Sequence, residues 1–466
     1  GPGEASGDGH GNLDRSAPPS PGPIRPFHFP DVEAARLDNG LGLRVARMPR
    51  LPVVTMSLVL AAGESVLDEG DAGLAVLAGD ALEGGTERRS GAELAEALEG
   101  IGAELRVSTG WDSTTVSLSC LAERKEEATT LLAELVREPS FPEDEVARSR
   151  EQRLARIRQR RMTPSTLASD EAGRLIYADG VPYGRPQAGT EASIRSVGRD
   201  RVRGFVDAHY RPDGGGVVVE GDVDADEIER LVERSFGEWS GTRPGRHTFE
   251  TPARSSAREV HVVHRPGSVQ SEIRAGHPGV PRSTPDYFPL LVANTVVGGA
   301  FTSRLNLNLR ERHGFTYGAR SRFAFRRAAG PFSVATAVGT EVTAPAVREI
   351  VAELEGATER GLTDDEVVGA RDYIAGVFPL RMETTGQVAS RIAELIVYDL
   401  PDDWHARYRD RVREVERGAA EASLARHVRP SELQIVVVGD ADAVTGPLEE
   451  LGLGPVTVHE VGPPEG

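Results

Sequence analysis

Apolar positions along the chain switch between a period of two and one near three and a half, and the switches come in the same order twice. In the first round, residues 41–48 and 52–63 read as two strands joined by a Pro-containing turn. A helix follows over residues 73–82, where Leu74, Leu77, Ala78, Ala81 and Leu82 fall on one packing face. Ser90 and Glu93 form a capping box that opens a helix ending at Gly100 and Gly102. Alternation predicts strands over 103–109 and 113–121, and helical spacing predicts helices over 123–137, 142–161 and 164–179. Residues 209–223 read as a turn into a buried strand, and 225–236 as a helix.

A Pro/Gly/Ser/Arg-rich stretch over 241–257 then marks a linker. The second round opens with strands after residue 258 and a helix over 284–299 that closes on Gly298 and Gly299. Thr363 and Glu366 cap a further long helix. The stretch HYRPDGGGVVVEGDVD at 209–224 is answered by HVRPSELQIVVVGDAD at 427–442, 218 residues on. A repeat that long is a duplicated domain and not a solenoid unit. The organisation is therefore a Gly/Pro/Ser-rich disordered leader over 1–26, domains over 27–240 and 258–455 joined by the 241–257 linker, and a tail over 456–466. The leader has no initiating Met, which fits a processed export tether or an expression remnant alike.

Composition narrows the function classes. A net charge of −18 argues against nucleic acid as a partner and favours basic or extended peptide ligands. No run approaches the roughly 20 apolar residues of a membrane span. Cys120 is the single cysteine and lies in an alternating strand pattern, so no intrachain disulfide forms and it is a poor nucleophile candidate.

Residues 305–320, LNLNLRERHGFTYGAR, hold the most distinctive local pattern. Leu305, Leu307 and Leu309 read as the apolar side of a helix and Arg310, Glu311 and Arg312 as its polar side. Gly314 stops that helix, because glycine enters the left-handed conformation without steric cost. A strand is predicted over 315–323, so Arg310 stands on a last helical turn and Tyr317 at the head of a strand. A fixed-charge guanidinium and a neutral O–H at one spot suit a peptide carbonyl. The bland alternative is a surface Arg beside a half-buried Tyr.

The run GGAFTSRLNLNLRERHGFTY over 298–317 resembles the second-half signature of the M16 (pitrilysin-type) zinc peptidases. Tyr183-Gly184, Gly189-Thr190, Tyr210 to Pro212 and Gly439-Asp440 match minor family features in order. The resemblance covers about residues 27–445. It implies an α+β fold of two homologous LuxS/MPP-like metallohydrolase-fold domains, each an antiparallel sheet with helices packed on one face. It also implies that Arg310 and Tyr317 polarise a scissile carbonyl and its developing oxyanion.

The same resemblance shows what is missing. The family's zinc helix carries H-x-x-E-H just before a Gly-Thr, and here Gly85-Thr86 closes the corresponding helix. The two His positions then fall on Val76 and Asp80, the general base on Gly79, and the later Glu ligand on Arg156. One carboxylate does not hold zinc, and an arginine repels it. The Asn of the family's substrate-edge strand is also changed, with Arg106 near its place. His261 and His264 on a predicted strand face opposite sides, and His209, His277, His313 and His427 sit near turns without a second ligand.

The reading that results is a zinc-free short-class subunit. Its partner would be an H-x-x-E-H-bearing M16 chain that holds the zinc, and its substrate an extended peptide lying against a sheet edge. No cofactor is expected in this chain, and the Gly/Pro/Ser-rich leader, read as an export tether, suits a periplasmic or cell-envelope location, with a cytoplasmic one as the alternative. The alternative is a catalytically inactive scaffold or peptide-binding protein of the same fold.

Overall fold

The computed structural model describes residue 22 and residues 24–245 and 248–460. The leader expected over 1–26 therefore lies, apart from residues 22 and 24–26, outside the described residues. Two six-stranded sheets organise the rest. The first uses β1 (Val32–Arg36), β2 (Gly42–Arg47), β3 (Val53–Leu60), β4 (Glu104–Thr109), β5 (Thr114–Leu121) and β6 (Gly216–Gly221) in the order β1-β2-β6-β3-β5-β4. The second uses β7 (Glu259–His264), β8 (Gln270–Pro278), β9 (Ala319–Phe323), β10 (Pro331–Gly339), β11 (Gln434–Gly439) and β12 (Val456–Glu460) in the order β12-β7-β11-β8-β10-β9.

Leaving out the outermost β1 and β12, the two orders coincide strand for strand and sense for sense. β2 runs parallel to β6 as β7 does to β11, and every other neighbouring pair in this shared set is antiparallel. The α+β class with two like halves is what the structure has, but the sheets are mixed and not purely antiparallel. The 218-residue repeat lands on β6 and β11, which hold the same place in each sheet. Val456–Glu460, expected to lie in a tail, pairs parallel to β7 as an edge strand.

Helices cover both faces of each sheet, where the sequence suggested one. The reason lies in β6 and β11, whose Val-rich runs are buried at every position. A strand apolar on both faces needs cover on both. One cover is local: helix Lys125–Arg137 packs on β3 and β5 and helix Ala225–Phe236 on β2, in one core with Met56, Leu58, Val217 and Val219. The other is exchanged between halves. Helix Pro164–Ile176 packs across to β8 and β11, where Leu167, Ala168 and Leu175 share a core with Val436 and Val438 and with Val263 of β7. Helix Thr385–Val397 packs across to β3 and β6, where Val388 and Ile392 meet Val59 and Val218. The linker is strapped to the first of these helices: Ala178 N donates to Pro252 O at 3.0 Å and Arg254 N to Ile176 O at 3.0 Å. No helix among the described residues is long and apolar enough to cross a membrane.

Candidate functional site

Helix Leu74–Ala81 forms where the apolar stripe predicts it, and Leu74, Leu77, Ala78, Ala81 and Leu82 are all buried. The device that anchors its start was not legible in the sequence. Glu64, fully buried nine residues upstream of Gly73, accepts from Gly73 N at 2.9 Å and Val76 N at 3.0 Å. A carboxylate there satisfies orphan donors of the first turn and complements the helix dipole. Burial still pushes the Glu64 carboxyl above its ordinary range.

The positions matched to zinc ligands sit together on this helix and its neighbour, Glu143–Met162. Asp80 is paired with Arg153, and Arg156 Nη1 lies 3.9 Å from its other oxygen. So the structure brings Asp80 and Arg156 to one place, where the one carboxylate able to ligate a metal is tied up by arginines, which cannot. Arg153 was missed by sequence reasoning; its signal is its place one helical turn before Arg156. Val76 is half-buried and contributes no donor atom. Gly79 faces β4 so closely that a Cβ would stand 2.7 Å from Thr109 Oγ1 and 3.2 Å from Val107 Cγ1. The space a general-base side chain would leave through is filled by the edge strand. The residues at these four positions do not fit a zinc ion. On β4 itself, Arg106 is exposed and paired with Glu104 at 2.6 Å.

In the second half, residues 304–318 depart from expectation in detail. Helix Arg304–Asn306 widens into a π turn over Leu307–Arg312, and Gly314 closes it with a φ of +64°. Leu305 and Leu309 are buried, but Leu307 is exposed, and Asn306 and Asn308 are buried in its stead. The alternation of LNLNL has a period of two, whereas the helix turns with a period near four, so every second leucine cannot face inward. Asn308 Nδ2 donates to Glu349 and Glu353 at 3.1 and 2.7 Å. Asn306 accepts from Ala319 N at 2.9 Å and donates to Ala319 O at 2.8 Å. Asn294 donates to Ser321 O at 2.9 Å. These two asparagines occupy the outer backbone groups of β9 at Ala319 and Ser321, so a ligand strand cannot pair there.

The strand begins at Ala319, so Tyr317 lies in the loop before it and not at its head. Thr316 Oγ1 shapes that loop, accepting from Gly318 N at 3.1 Å. Tyr317 is 97% exposed. Arg310 lies with its guanidinium carbon 4.2 Å from the centre of the Phe301 ring, and a Glu311 oxygen stands 3.4 Å from its Nη1. No hydrogen bond joins Arg310 and Tyr317, which stand seven positions apart in the chain; Phe301, Leu307 and Tyr317 are all exposed.

Immediately past Tyr317 the chain enters a cleft of about 720 Å³ between β9, β10 and the exchanged helix Pro164–Ile176. Gly318, Arg320 and Arg322 line it, with Trp111 and Tyr183 from the first half. It joins both halves: Tyr183 Oη donates to Asp112 at 3.1 Å, and Asp112 accepts from Arg327 N at 3.0 Å.

The remaining candidates have structural partners. His261 lies between His459 Nε2 at 3.1 Å and Gln434 Oε1 at 3.0 Å, while His264 accepts from Ala441 N at 3.1 Å. His277 is fully buried and accepts from Arg429 N, and burial holds it down to about 3. His427 donates to Asp286 at 2.6 Å, and His313 stacks on Phe315. His209 packs against the Phe205 ring, their centres 4.8 Å apart and tilted by 33°. Cys120 is buried, and burial pushes its thiol up to about 11, away from the thiolate. Among the described residues no three His, Cys, Asp or Glu side chains gather to hold a metal ion.

Two family models match the chain: "Insulinase (Peptidase family M16)" over residues 45–179 and "Peptidase M16 inactive domain" over residues 196–373. An uncharacterized zinc protease of Mycobacterium tuberculosis is 27% identical over 404 residues, covering 85% of this chain and 91% of its own. One of Streptomyces coelicolor is 27% identical over 321 residues, covering 66% of this chain and 68% of its own. The crystal structure of a peptidase M16 inactive domain from Pseudomonas fluorescens shares the fold with a TM-score of 0.82 at 24% identity, covering 88% of this chain and 98% of that one.

Proposed function

The chain belongs to the M16 peptidase family, and we propose that within it this chain is the non-metal-binding subunit of a heteromeric zinc peptidase. An H-x-x-E-H-bearing partner would hold the zinc that activates water. This chain would supply Arg310, Tyr317 and half of the peptide chamber. The observation that carries the reading is the state of helix Leu74–Ala81. It keeps its packing face while Asp80 is tied to Arg153 and Arg156 and Gly79 is closed over by β4. Such a helix has a structural role without a metal, and the chemistry left to the chain is electrostatic. Donors aimed at a developing oxyanion are worth about 3–4 kcal/mol in such sites.

A second reading, a zinc-free scaffold or peptide-binding protein, is favoured by one feature. Arg310 rests over Phe301 and Tyr317 points into solvent, so the pair is not assembled in the lone chain. Co-expression with an H-x-x-E-H chain decides between them. The expected outcome is peptide cleavage by the complex, zinc in the complex, and none with this chain alone. Tyr317→Phe should lower kcat by roughly 10²–10³ with KM nearly unchanged, because the lost O–H acts on charge that develops in the transition state. Arg310→Lys should not substitute for the planar fork. Full activity in both Tyr317→Phe and Arg310→Ala complexes would make the pair structural and put the scaffold reading first.

A further inference from the structure

The chain carries −18 overall, yet the cleft between β9, β10 and helix Pro164–Ile176 is lined by six arginines against two carboxylates. Three of the six are occupied. Arg160 pairs with Asp170 at 3.1 Å and Arg274 with Glu272 at 3.0 Å. Arg185 donates to the carbonyls of Glu64 and Leu67 at 2.9 and 2.6 Å. Arg320, Arg322 and Arg326 line the same cleft with no carboxylate within ion-pair distance among the described residues, Asp112 acting on Arg326 only from farther off. Arg326 lies 4.4 Å from the centre of the Tyr183 ring and 5.0 Å from that of Trp111, and its Nη1 is buried without an acceptor. A buried donor of that kind is costly until an acceptor arrives.

The geometry specifies the ligand further. Arg320 and Arg322 are the exposed positions of β9 and share one face. Residues two apart on a strand stand about 6.8 Å apart, and so do same-side side chains of an extended peptide. Ala335 on β10 lies in register between Arg320 and Arg274, and Ser333 lies opposite Arg322. With Ala337 they make a floor of small side chains from which the guanidiniums project. The outer backbone groups of β9 at Ala319 and Ser321 are held by Asn306 and Asn294, so a ligand here is gripped by side chains and not by strand addition.

We propose that this cleft binds extended peptide segments with carboxylates at alternate residues. It rests on the proposed function for its meaning as a substrate preference, but the binding belongs to this chain alone. The preference is opposite in sign to what the net charge suggests, because the acidic residues lie elsewhere and the cleft concentrates the uncompensated arginines. A nucleic acid, which would wrap beyond the cleft onto acidic surface, is disfavoured by the same net charge.

The test titrates the purified full chain with labelled peptides of one length that alternate Ser with Glu, Gln or Lys, read by anisotropy and by Trp111 fluorescence. The Glu peptide should bind about tenfold more tightly than the Gln peptide, a difference readily resolved, and the Lys peptide should not bind. Added salt should weaken the Glu complex. Arg320→Gln with Arg322→Gln should abolish the Glu advantage without moving the melting temperature, since both residues are exposed and unpaired; each single variant is measured as well in case the double one fails to fold. Equal binding of Glu and Gln peptides, or an advantage that survives in these variants, would overturn the proposal. So would equally tight binding of a contiguous-Glu peptide or a single-stranded oligonucleotide, which would mark generic anion attraction. None of these outcomes touches the two-chain cleavage assay, and a silent cleavage assay leaves this titration unaffected.

Discussion

The two halves share five strands in one order and sense, yet their polar residues have gone separate ways. In the first half, helix Leu74–Ala81 is sealed: Glu64 holds its start, Arg153 and Arg156 neutralise Asp80, and β4 closes over Gly79. In the second half, the stretch of chain from Phe301 to Tyr317 is open, with Phe301, Leu307 and Tyr317 all exposed. The difference extends into the sheets. Glu220 on β6 occupies the place of Val438 on β11, 218 residues on, and both are buried under an exchanged helix. Rows of buried apolar side chains fix the topology, and the polar positions are then free to diverge, one half towards closure and the other towards display.

That comparison can be broken at several points. The largest effect is expected where the halves brace each other. Ile392→Ala under the first sheet, and Leu175→Ala under the second, should each cost about 2–5 kcal/mol while leaving a single cooperative melt. Two separate calorimetric transitions would mean that the halves are independent after all.

Glu220→Val sharpens the comparison by copying the second half into the first. Burial pushes the Glu220 carboxyl up to about 9 from an ordinary 4.5, against the smaller opposite pull of the Ala389 backbone amide. Between those two values the folded chain keeps a proton that the unfolded chain releases, so stability falls as pH rises through this window. The slope approaches roughly 1.4 kcal/mol per pH unit. The Val variant should lose that slope and melt higher than the parent at pH 8, as read by thermal denaturation across pH. A parent whose melting temperature is flat over the window would show the carboxyl to be ionised and otherwise compensated.

Gly79→Glu tests the sealing of the first half. Its side chain would push Thr109 and Val107 apart, with an expected cost of about 1–3 kcal/mol. It should bring no zinc by metal analysis while Asp80 stays paired with arginine. Tyr317→Phe in the lone chain is the smallest effect: a 97% exposed hydroxyl without a partner should change stability by less than about 0.5 kcal/mol. A larger loss would mean that the stretch is built around this side chain and not merely displaying it.

Much of this was legible in the sequence because apolar periodicity carries it. The stripe of Leu74 to Leu82, the capping boxes at Ser90 and Thr363, and the repeated Val runs of β6 and β11 all form as their patterns predict. What escaped depends on distant partners. Glu64 as a helix anchor, Arg153 beside Arg156, and Asn306 on the edge of β9 are polar residues whose roles appear only once another element arrives. The edge strand Val456–Glu460 was read as tail because its burial is light and its pairing partner lies nearly 200 positions upstream. The arginine cleft was hidden by the average, since net charge says nothing about where charge gathers.

The exchanged helices set a timetable for synthesis. β3 and β6 leave the ribosome long before residues 385–397, which cover their second face, have been made. Until then Val59 and Val218 have no lid, and the nascent first half presents an unfinished apolar surface of the kind that invites chaperones or mispairing. The closing contacts span about 170 residues of chain from Val218 and more than 300 from Val59, so their loop-closure entropy is met late and their formation is slow. The molecule therefore becomes whole in one final step, when each half receives from the other the helix it lacks.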